Sequence, residues 1–575
     1  MEHFTGIAGS DGIAVGKVLL HIKRPVQIDH SPITEAQVEQ EQERLKEAVQ
    51  AVKYQLEQMI HRVEKKLGAK EAEIFEAHLS ILEDPEVIGE AIETIRSQLI
   101  HADYAADRSI HNASSFLAAL DDEYMKARAA DILDIGERLV REITGQSSKG
   151  LAELTEPCIL VAHDITPSDT AEMDSTKVLA MVSEIGSKTS HAVILSRSLG
   201  IPAVIGVKGI TDSVNDGDII IVNGTDGTII FDPNEEQLAN AFSQRVQFQN
   251  ERQALLKTAF SDAVSRDGVT VKVEGNIGAP EEAQLVLENG GDGIGLFRSE
   301  LFYMNRNSFP TEEEQYRSYS EVAEKTQGQQ VIIRTMDIGG DKHLNYFSLP
   351  QESNPFLGYR ALRVCLENTG VFKTQLRAIL RASHNGNLAV MFPMVSCVEE
   401  IRRAKALLEE CKQELQEEKL KYDPNIKVGI MIEIPSIAMQ AKNVAKEVDF
   451  FSIGTNDLLQ YSLAVDRMNE RVANLYQPCH PGVLALIRYI IDSAHQQSIP
   501  VGMCGEMASD PVATVLLLGF GLDHFSMNPI SIPKIKERIR SLSAKECREI
   551  ADQALTFSTS SEVENYVRAY LYKLK

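Results

Sequence analysis

The sequence predicts a multidomain α/β protein: a helical unit, a compact α/β unit and a carboxyl-terminal (β/α)8 barrel. Three observations predict it. From residue 34 to 67 apolar side chains recur at spacings of three and four, the period of one helical face. Between "EPCILVAHDI" and "TDGTIIFDP" the text changes to short β-branched runs separated by Gly, Asp and Pro. Beyond that, an apolar β-rich run followed by a helix-length amphipathic segment is repeated to the end of the chain. At 575 residues the chain exceeds one hydrophobic core, and ordinary domain size suggests about three or four folding units.

The helical unit comes first. Its opening face is Val38, Leu45, Val49, Val52, Leu56, Met59, Val63 and Leu67, with Thr34 and Gln37 forming a capping box and Gly68 a natural stop. Helical text continues to about residue 144 through "KEAEIFEAHLSILEDPE" and "DDEYMKARAADILDIGERLV", giving a helical hairpin bundle with acidic, solvated faces. Such faces are ordinarily just wet, so a docking role needs other support. The α/β unit contains "SEIGSKTSHAVILSRS", in which His191 stands between a Gly/Ser/Lys/Thr turn and an apolar run. The strand-like opening from Gly6 to His21 shares its composition and is expected to fold back onto it. Next, "PNEEQLANAFSQRVQFQNERQALLKTAFSDA" has few Gly or Pro residues and reads as a semi-rigid helical arm.

The barrel rests on eight runs: "GVTVKVEGNIG", "GDGIGLFRSE", "QVIIRTMDIGG", "LAVMFPMVS", "KVGIMIEIPS", "DFFSIGTND", "IPVGMCGEMA" and "LDHFSMNP". A closed parallel barrel places its active site at the carboxyl ends of its strands, so chemically useful residues should stand where the runs end. Arg298 closes the second run, Arg334 and Asp337 the third, Glu433 the fifth, Asn456 and Asp457 the sixth, and Cys504 with Glu506 the seventh.

Composition limits the partners. With 83 acidic against 58 basic residues the net charge is −25, which repels nucleic acid and anionic lipid and favours a basic protein partner. Seven scattered cysteines without a C-x-x-C pair fit reduced thiols in a cytoplasmic protein. "MEHFTGIAGSDGIAVGK" lacks a signal-peptide layout, and the apolar stretch "VATVLLLGFGL" is too short to span a bilayer, so no membrane role is expected. "GIAVGKV" fails as a phosphate-binding P-loop, because its lysine comes one residue early and no Ser or Thr follows.

Glu433 and Asp457 suit either a hard divalent cation such as Mg²⁺ or ordinary ion pairs. Arg298, Arg334, Arg360 and Arg467 share one rim by the barrel argument, and guanidinium forks match carboxylate and phosphate, which implies a small, multiply charged anion. Cys504, between glycines in "GMCGEM", is a candidate proton donor at carbon or a buried apolar thiol. His191 follows Thr189 and Ser190, whose hydroxyls can fix its tautomer; it is a nucleophile or a structural histidine.

These residues stand in segments that resemble, nearly end to end and in order, enzyme I of the bacterial phosphoenolpyruvate:sugar phosphotransferase system: "IFEAHLSILEDPE", "DITPSDTAEM", "TSHAVILSRSLGIPAVIG", "PTEEEQY", "RTMDIGGDK", "NPFLGYRALR", "IMIEIPS", "DFFSIGTNDLLQYSLAVDR" and "GMCGEM". Pyruvate phosphate dikinase and phosphoenolpyruvate synthase share pieces of this text, but their nucleotide-grasp domain has no counterpart here. The resemblance implies a phosphohistidine α/β domain at 1–32 and 145–232, a helical domain binding the phosphocarrier protein HPr at 33–144, a linker at 233–262, and a phosphoenolpyruvate-binding barrel at 263–575. It also implies that His191 takes the phosphoryl group of phosphoenolpyruvate on Nε2 and passes it to a histidine of HPr. Arg298, Arg334, Arg360, Asn456, Asp457 and Arg467 would bind the substrate, Glu433 and Asp457 would ligate Mg²⁺, and Cys504 would protonate the enolate to pyruvate. A homodimer through the barrel is implied as well, as is an α/β domain that swings between two stations.

Departures from the family pattern are Ser187 and Lys188 in place of Gly-Arg before "TSH", His343 and Asn345 after "RTMDIGGDK", His524 and Asn528 in "GLDHFSMNP", and Ala127 and Leu133 in the helical region. Lysine at 188 loses the bidentate fork of arginine. A regulatory relative that binds without turnover is the competing expectation, with a lyase or dikinase on the same barrel as the third.

Overall fold

The computed structural model describes residues 3–21, 28–67, 79, 82, 85–118, 123–145, 154, 156–165, 169, 173–174, 176–186, 192–193, 196, 200–304, 306, 308–340, 342, 344, 346–347, 349–350, 352–467, 469 and 471–574. The chain falls into two units, Met1–Gln249 and Asn250–Lys575.

The first unit contains an eight-stranded sheet. Its strands are β1 (His3–Thr5), β2 (Ile7–Ser10), β3 (Ile13–His21), β4 (Cys158–Ala162), β5 (Val178–Ser183), β6 (Ala203–Ile205), β7 (Ile219–Asn223) and β8 (Thr228–Phe231), in the order β1-β8-β7-β3-β4-β5-β6-β2. β3 pairs in parallel with β4, Lys17 opposite Cys158, so the chain leaves the sheet at His21, builds the helices, and returns to the neighbouring position. β4 and β5 are almost continuous apolar runs because both faces are covered.

The excursion between β3 and β4 supplies α1 (Val38–Leu67), α2 (Pro85–Gln98), α3 (Ala102–Ala118) and α4 (Glu123–Thr144). Thr34 and Gln37 close the capping box expected from the sequence, the Thr34 N–H donating to Gln37 Oε1 at 2.9 Å. Leu45, Val49, Val52 and Leu56 of α1 pack with Ile95, Ile110, Ile135 and Leu139 as this region's own core. α3 and α4 close tightly because position 136 is glycine: a Cβ there would lie 2.3 Å from Ile110 Cγ2. The boundary between the units falls inside α5 (Glu235–Thr258), whose Ala241 and Leu238 pack on Val15 and Ile221 of the sheet.

The second unit is a closed parallel barrel. Its strands are β10 (Thr270–Ile277), β11 (Ile294–Arg298), β12 (Val331–Arg334), β13 (Leu388–Phe392), β14 (Lys427–Ile432), β15 (Phe450–Ile453), β16 (Val501–Met503) and β17 (His524–Met527), preceded by the short β9 (Ala263–Val264). β10 pairs with both β11 and β17, which removes the sheet edges. These are the eight runs of the sequence reading. Strand alternation sends Val273, Phe297, Ile333, Val390, Ile430, Phe451 and Phe525 outward into the core shared with the helices. Leu296, Ile332, Ala389, Met391, Met431, Phe450 and Cys504 form a separate interior cluster.

A buried cation ties the barrel's closing helix to its second strand. Lys536 is 1 % exposed; its Nζ donates to Asp292 Oδ1 at 2.7 Å, while Asp292 Oδ2 accepts from Val273 N at 2.8 Å. Removing either partner alone strands the other's largely desolvated charge, whereas neutralising both members together does not. Asp292→Ala is therefore expected to lower the stability of the barrel's unfolding transition by about 3–5 kcal/mol and the double variant Asp292→Asn with Lys536→Met by about 1 kcal/mol or less, read as guanidinium midpoints at equal slope.

Candidate active site

The carboxyl ends of the barrel strands bring together nearly every barrel residue singled out in the sequence. Arg298 and Arg334 are the last residues of β11 and β12 and stand opposite each other in register. Glu433 follows β14, Asn456 and Asp457 lie in the first turn of the helix Thr455–Leu463 after β15, and Cys504 follows β16. Asn456 Oδ1 accepts from the Glu506 N–H at 3.2 Å, tying the ends of β15 and β16 together. Gly505 is required here, because a Cβ would fall 1.8 Å from Thr455 Oγ1.

A chain of buried charges runs across this mouth. Arg334 Nη2 donates to Glu300 Oε1 and lies 3.3 Å from Asp337 Oδ2. Lys342 Nζ bridges the same two carboxylates at 3.1 and 2.9 Å. Arg360 forks onto Asp337 at 2.9 and 3.2 Å, and its Nη2 continues to Asp457 Oδ2 at 3.1 Å. Arg360 Nη1 donates to the Tyr461 hydroxyl at 3.3 Å. Burial alone would raise the Asp337 and Glu300 carboxyls, but Lys342 and Arg334, joined at Asp337 by Arg360, hold Asp337 well below the carboxylate range and Glu300 below its ordinary value. Burial likewise opposes the charge on Arg334 and Arg360, and the carboxylates outweigh it, so both guanidinium groups stay firmly protonated.

Glu433 is the exception. It is 1 % exposed, its Oε1 accepts from Met394 N at 2.5 Å, and burial followed by repulsion from Asp457 and Asp337 pushes its carboxyl up to about 8. Lys342, Arg334 and Arg360 already face Glu300, Asp337 and Asp457, so a fourth carboxylate has no cation of its own. Two non-glycine residues with φ of +53°, Met394 and Ala361, flank Glu433's donor and Arg360. Backbone strain of this kind is held in place where it aims a functional group.

Several buried atoms have no hydrogen-bond partner among the described residues: Asp457 Oδ1, Glu300 Oε2, Arg334 Nε, Thr455 Oγ1 and Arg467 Nη1. The Arg298 side chain is exposed at the mouth, and its charge acts on the buried Glu300. Arg467 hydrogen-bonds the Tyr476 hydroxyl, which also feels Glu506 and Asp457, placing this arginine on the same rim. Unpartnered donors beside unpartnered carboxylate oxygens suit an anion together with a cation. Glu433 and Asp457 offer only hard oxygen donors, as Mg²⁺ prefers, and the missing partner of Asp457 Oδ1 fits a bound ion. No group of three or more His, Cys, Asp and Glu stands together as a metal site among the described residues.

Cys504 is 7 % exposed. Burial raises its thiol to about 11, so it keeps its proton at neutral pH. His191 lies outside the described residues, as do Ser187, Lys188, Thr189, Ser190, His343 and Asn345. Ala127 falls within α4, and Leu133 on the same helix is 41 % exposed. The sequence reading missed Glu300, Lys342 and Tyr461. Glu300 stands two residues beyond Arg298, opening the next helix, and Lys342 lies in the loop after β12; the barrel rule, applied beyond the strand's last residue, reaches both.

Three family models match the chain: PEP-utilising enzyme, N-terminal, over residues 5–128; PEP-utilising enzyme, mobile domain, over 154–227; and PEP-utilising enzyme, PEP-binding domain, over 251–544. Among curated proteins, a phosphoenolpyruvate-protein phosphotransferase of Priestia megaterium is 45 % identical over 568 residues, 99 % of each chain. One of the same name from Haemophilus influenzae is 45 % identical over 567 residues, again 99 % of each. Another, from Staphylococcus carnosus, is 44 % identical over 569 residues and 99 % of each.

The site's charge imbalance has a measurable consequence. Glu433 titrates near 8 in the fold against an ordinary value of 4.5; its neutral form suits the metal-free fold, so its contribution is complete below pH 4.5 and is lost as pH rises through 8. Urea midpoints of the metal-free barrel are expected to fall between pH 6 and 9, and Glu433→Gln should remove that part of the slope.

Proposed function

The chain belongs to the phosphoenolpyruvate-protein phosphotransferase family, and from that membership we propose how its residues carry out phosphoryl transfer from phosphoenolpyruvate to protein. The activity is phosphoenolpyruvate-dependent phosphotransfer, and the substrate is phosphoenolpyruvate. We propose that the acceptor is first His191 Nε2 and then a histidine of the phosphocarrier HPr, with pyruvate released.

The observation that carries this reading is the set of unpartnered donors beside an uncompensated carboxylate at the barrel mouth. Arg298 and Arg334, in register on adjacent strands, hold the phosphate; Arg467 and Asn456 take the remaining oxygens. Arg360, locked by Asp337 and Asp457, keeps that wall rigid. Glu433 and Asp457 would hold the divalent cation, Mg²⁺, which when bound would supply positive charge to offset that of the substrate. Positioning and fixed charge do most of the work as the phosphoryl group leaves in line toward His191. The enolate left behind is trapped by the Cys504 proton, which makes the transfer hard to reverse. A thiol held protonated by burial is the right donor for this step.

In the same reading residues 1–32 and 145–232 form the phosphohistidine domain, 33–144 the HPr-binding domain, 233–262 the linker and 263–575 the phosphoenolpyruvate barrel. The phosphohistidine domain swings between the barrel mouth and the carrier, because one imidazole serves two enclosing partners. The net charge of −25 supports encounter with a basic carrier. Assembly as a homodimer through the barrel and a cytoplasmic location complete the proposal. Among the described residues no helix is long and apolar enough to cross a membrane.

Radiolabelled phosphoenolpyruvate with Mg²⁺ is expected to leave an acid-labile, base-stable label on the chain. His191→Ala should abolish it while leaving phosphoenolpyruvate binding intact, and chelation of the metal should abolish it in the wild type. Label retained in the variant overturns His191 as acceptor. Arg298→Lys, which keeps the charge but loses the fork, should lower kcat/KM by roughly tenfold to a hundredfold, about 1.4–2.7 kcal/mol.

A further inference from the structure

Barrel interiors are ordinarily filled by bulky branched side chains. Here only one side of the interior is. Leu296, Ile332, Ala389, Met391, Met431 and Phe450 form the apolar side. The inward positions of β10, β15, β16 and β17 are Glu274, Asn276, Ser452, Cys504, His524 and Ser526. Glu274, Ser452 and Ser526 are each 2 % exposed, and burying them needs a reason.

They are linked. Ser452 hydrogen-bonds the Cys504 thiol. Asn276 Nδ2 donates to Cys504 O at 2.9 Å, and Ser526 Oγ donates to Asn276 Oδ1 at 2.6 Å. At the amino-terminal mouth His524 Nδ1 meets Glu274 Oε1 at 3.0 Å. Gly295 leaves room for both acid and serine: a Cβ there would lie 2.5 Å from Glu274 Oε2 and 2.5 Å from Ser526 Oγ. A cavity of about 30 Å³ is lined by Glu274, Ser452, His524 and Ser526, with Lys427 and Asp449 at its rim. That volume admits a water molecule, and the lining supplies the polar partners it needs. The cavity lies at the amino ends of the strands, away from Arg298, Arg334 and Glu433.

We propose that this polar column is a proton path that re-supplies Cys504 from the amino-terminal mouth of the barrel. It rests on Cys504 being the proton donor. Each turnover moves one proton from Cys504 Sγ to the enolate carbon; the S–H bond breaks, a C–H bond forms, and the thiolate keeps the electron pair. The thiolate then takes a proton from the Ser452 hydroxyl, which takes one from water in the cavity. That water takes one from the His524–Glu274 pair, and the pair is re-protonated from bulk solvent. One proton enters at one mouth for each methyl group made at the other. His524 is suited to this: burial opposes its charge, but Glu274 and Asp523 outweigh burial and the nearby Lys272, so the ring holds a proton more readily than a free histidine. Asp523 in turn pairs with His495 at 2.8 Å at the same mouth. The column accounts for His524, a departure from the family pattern that the phosphoryl-transfer chemistry leaves unused.

The experiment separates the first turnover from later ones. The full chain, Mg²⁺, phosphoenolpyruvate and saturating HPr are mixed rapidly, and pyruvate is followed in wild type, Glu274→Gln, Ser452→Ala and Cys504→Ala. A resident Cys504 proton serves the first turnover, so Glu274→Gln and Ser452→Ala should keep the burst of pyruvate while the later rate falls at least about tenfold, with an enlarged solvent deuterium effect. Cys504→Ala should slow the burst itself. If Glu274→Gln and Ser452→Ala keep both phases, or if both lose the burst, the path is overturned. If Cys504→Ala keeps the burst, the reading of Cys504 as donor is what fails.

Discussion

Charge balance among largely buried side chains is the constraint on which the barrel mouth depends. Lys342, Arg334 and Arg360 are matched one for one by Glu300, Asp337 and Asp457, and every one of these contacts is within hydrogen-bonding or close ionic range. Such a set is fixed: moving one member leaves another buried and unpaired, at a cost of several kcal/mol. Glu433 makes the count odd. Burial and repulsion from Asp457 and Asp337 make it hold a proton more readily than a free carboxyl, and in the proposed function a divalent ion would supply that positive charge instead.

The fold makes this arrangement by strand alternation and little else. In register, β11 and β12 present Arg298 and Arg334 side by side; Glu300, just beyond β11, and Asp337, just beyond β12, both turn back onto Arg334. Met394 and Ala361 are two of the eight described non-glycine residues with positive φ; Met394 supplies the N–H that meets Glu433, and Ala361 follows the arginine that joins Asp337 to Asp457. The same alternation, followed toward the amino ends, produces the two-sided interior with its hydrocarbon wall and its column of hydroxyl, amide and carboxylate.

Much of this was legible in the sequence because the barrel is a rule with a long reach. Eight apolar runs gave eight strands, and looking where each run ends found Arg298, Arg334, Glu433, Asn456, Asp457 and Cys504. Glu300 and Lys342 escaped because they act across elements: a glutamate opening a helix and a lysine in a loop look like solvated residues until the fold shows each facing the same arginine or aspartate. The perturbed acidity of Glu433 was equally invisible, since it arises from burial and from two carboxylates, Asp457 and Asp337, that are distant in the chain. Thr34 and Gln37 were readable for the opposite reason, a capping box being a contact between near neighbours. The polar column lies between these cases. "DHFSM" shows a histidine and a serine two apart, hence on one face of a strand, but nothing local says that Glu274 waits opposite.

The net charge of −25 also takes on a definite meaning beside this site. A strongly acidic protein does not attract a small trianion at long range, and at physiological salt exposed charges are screened beyond about 8 Å. In the proposed function capture would fall to the short-range forks of Arg298, Arg334 and Arg467 at the barrel mouth. That division leaves the surface charge free for another purpose. A field that repels the metabolite draws in a basic protein, and since encounter with a protein partner is the step most limited by orientation, that is where steering has the greatest effect on rate.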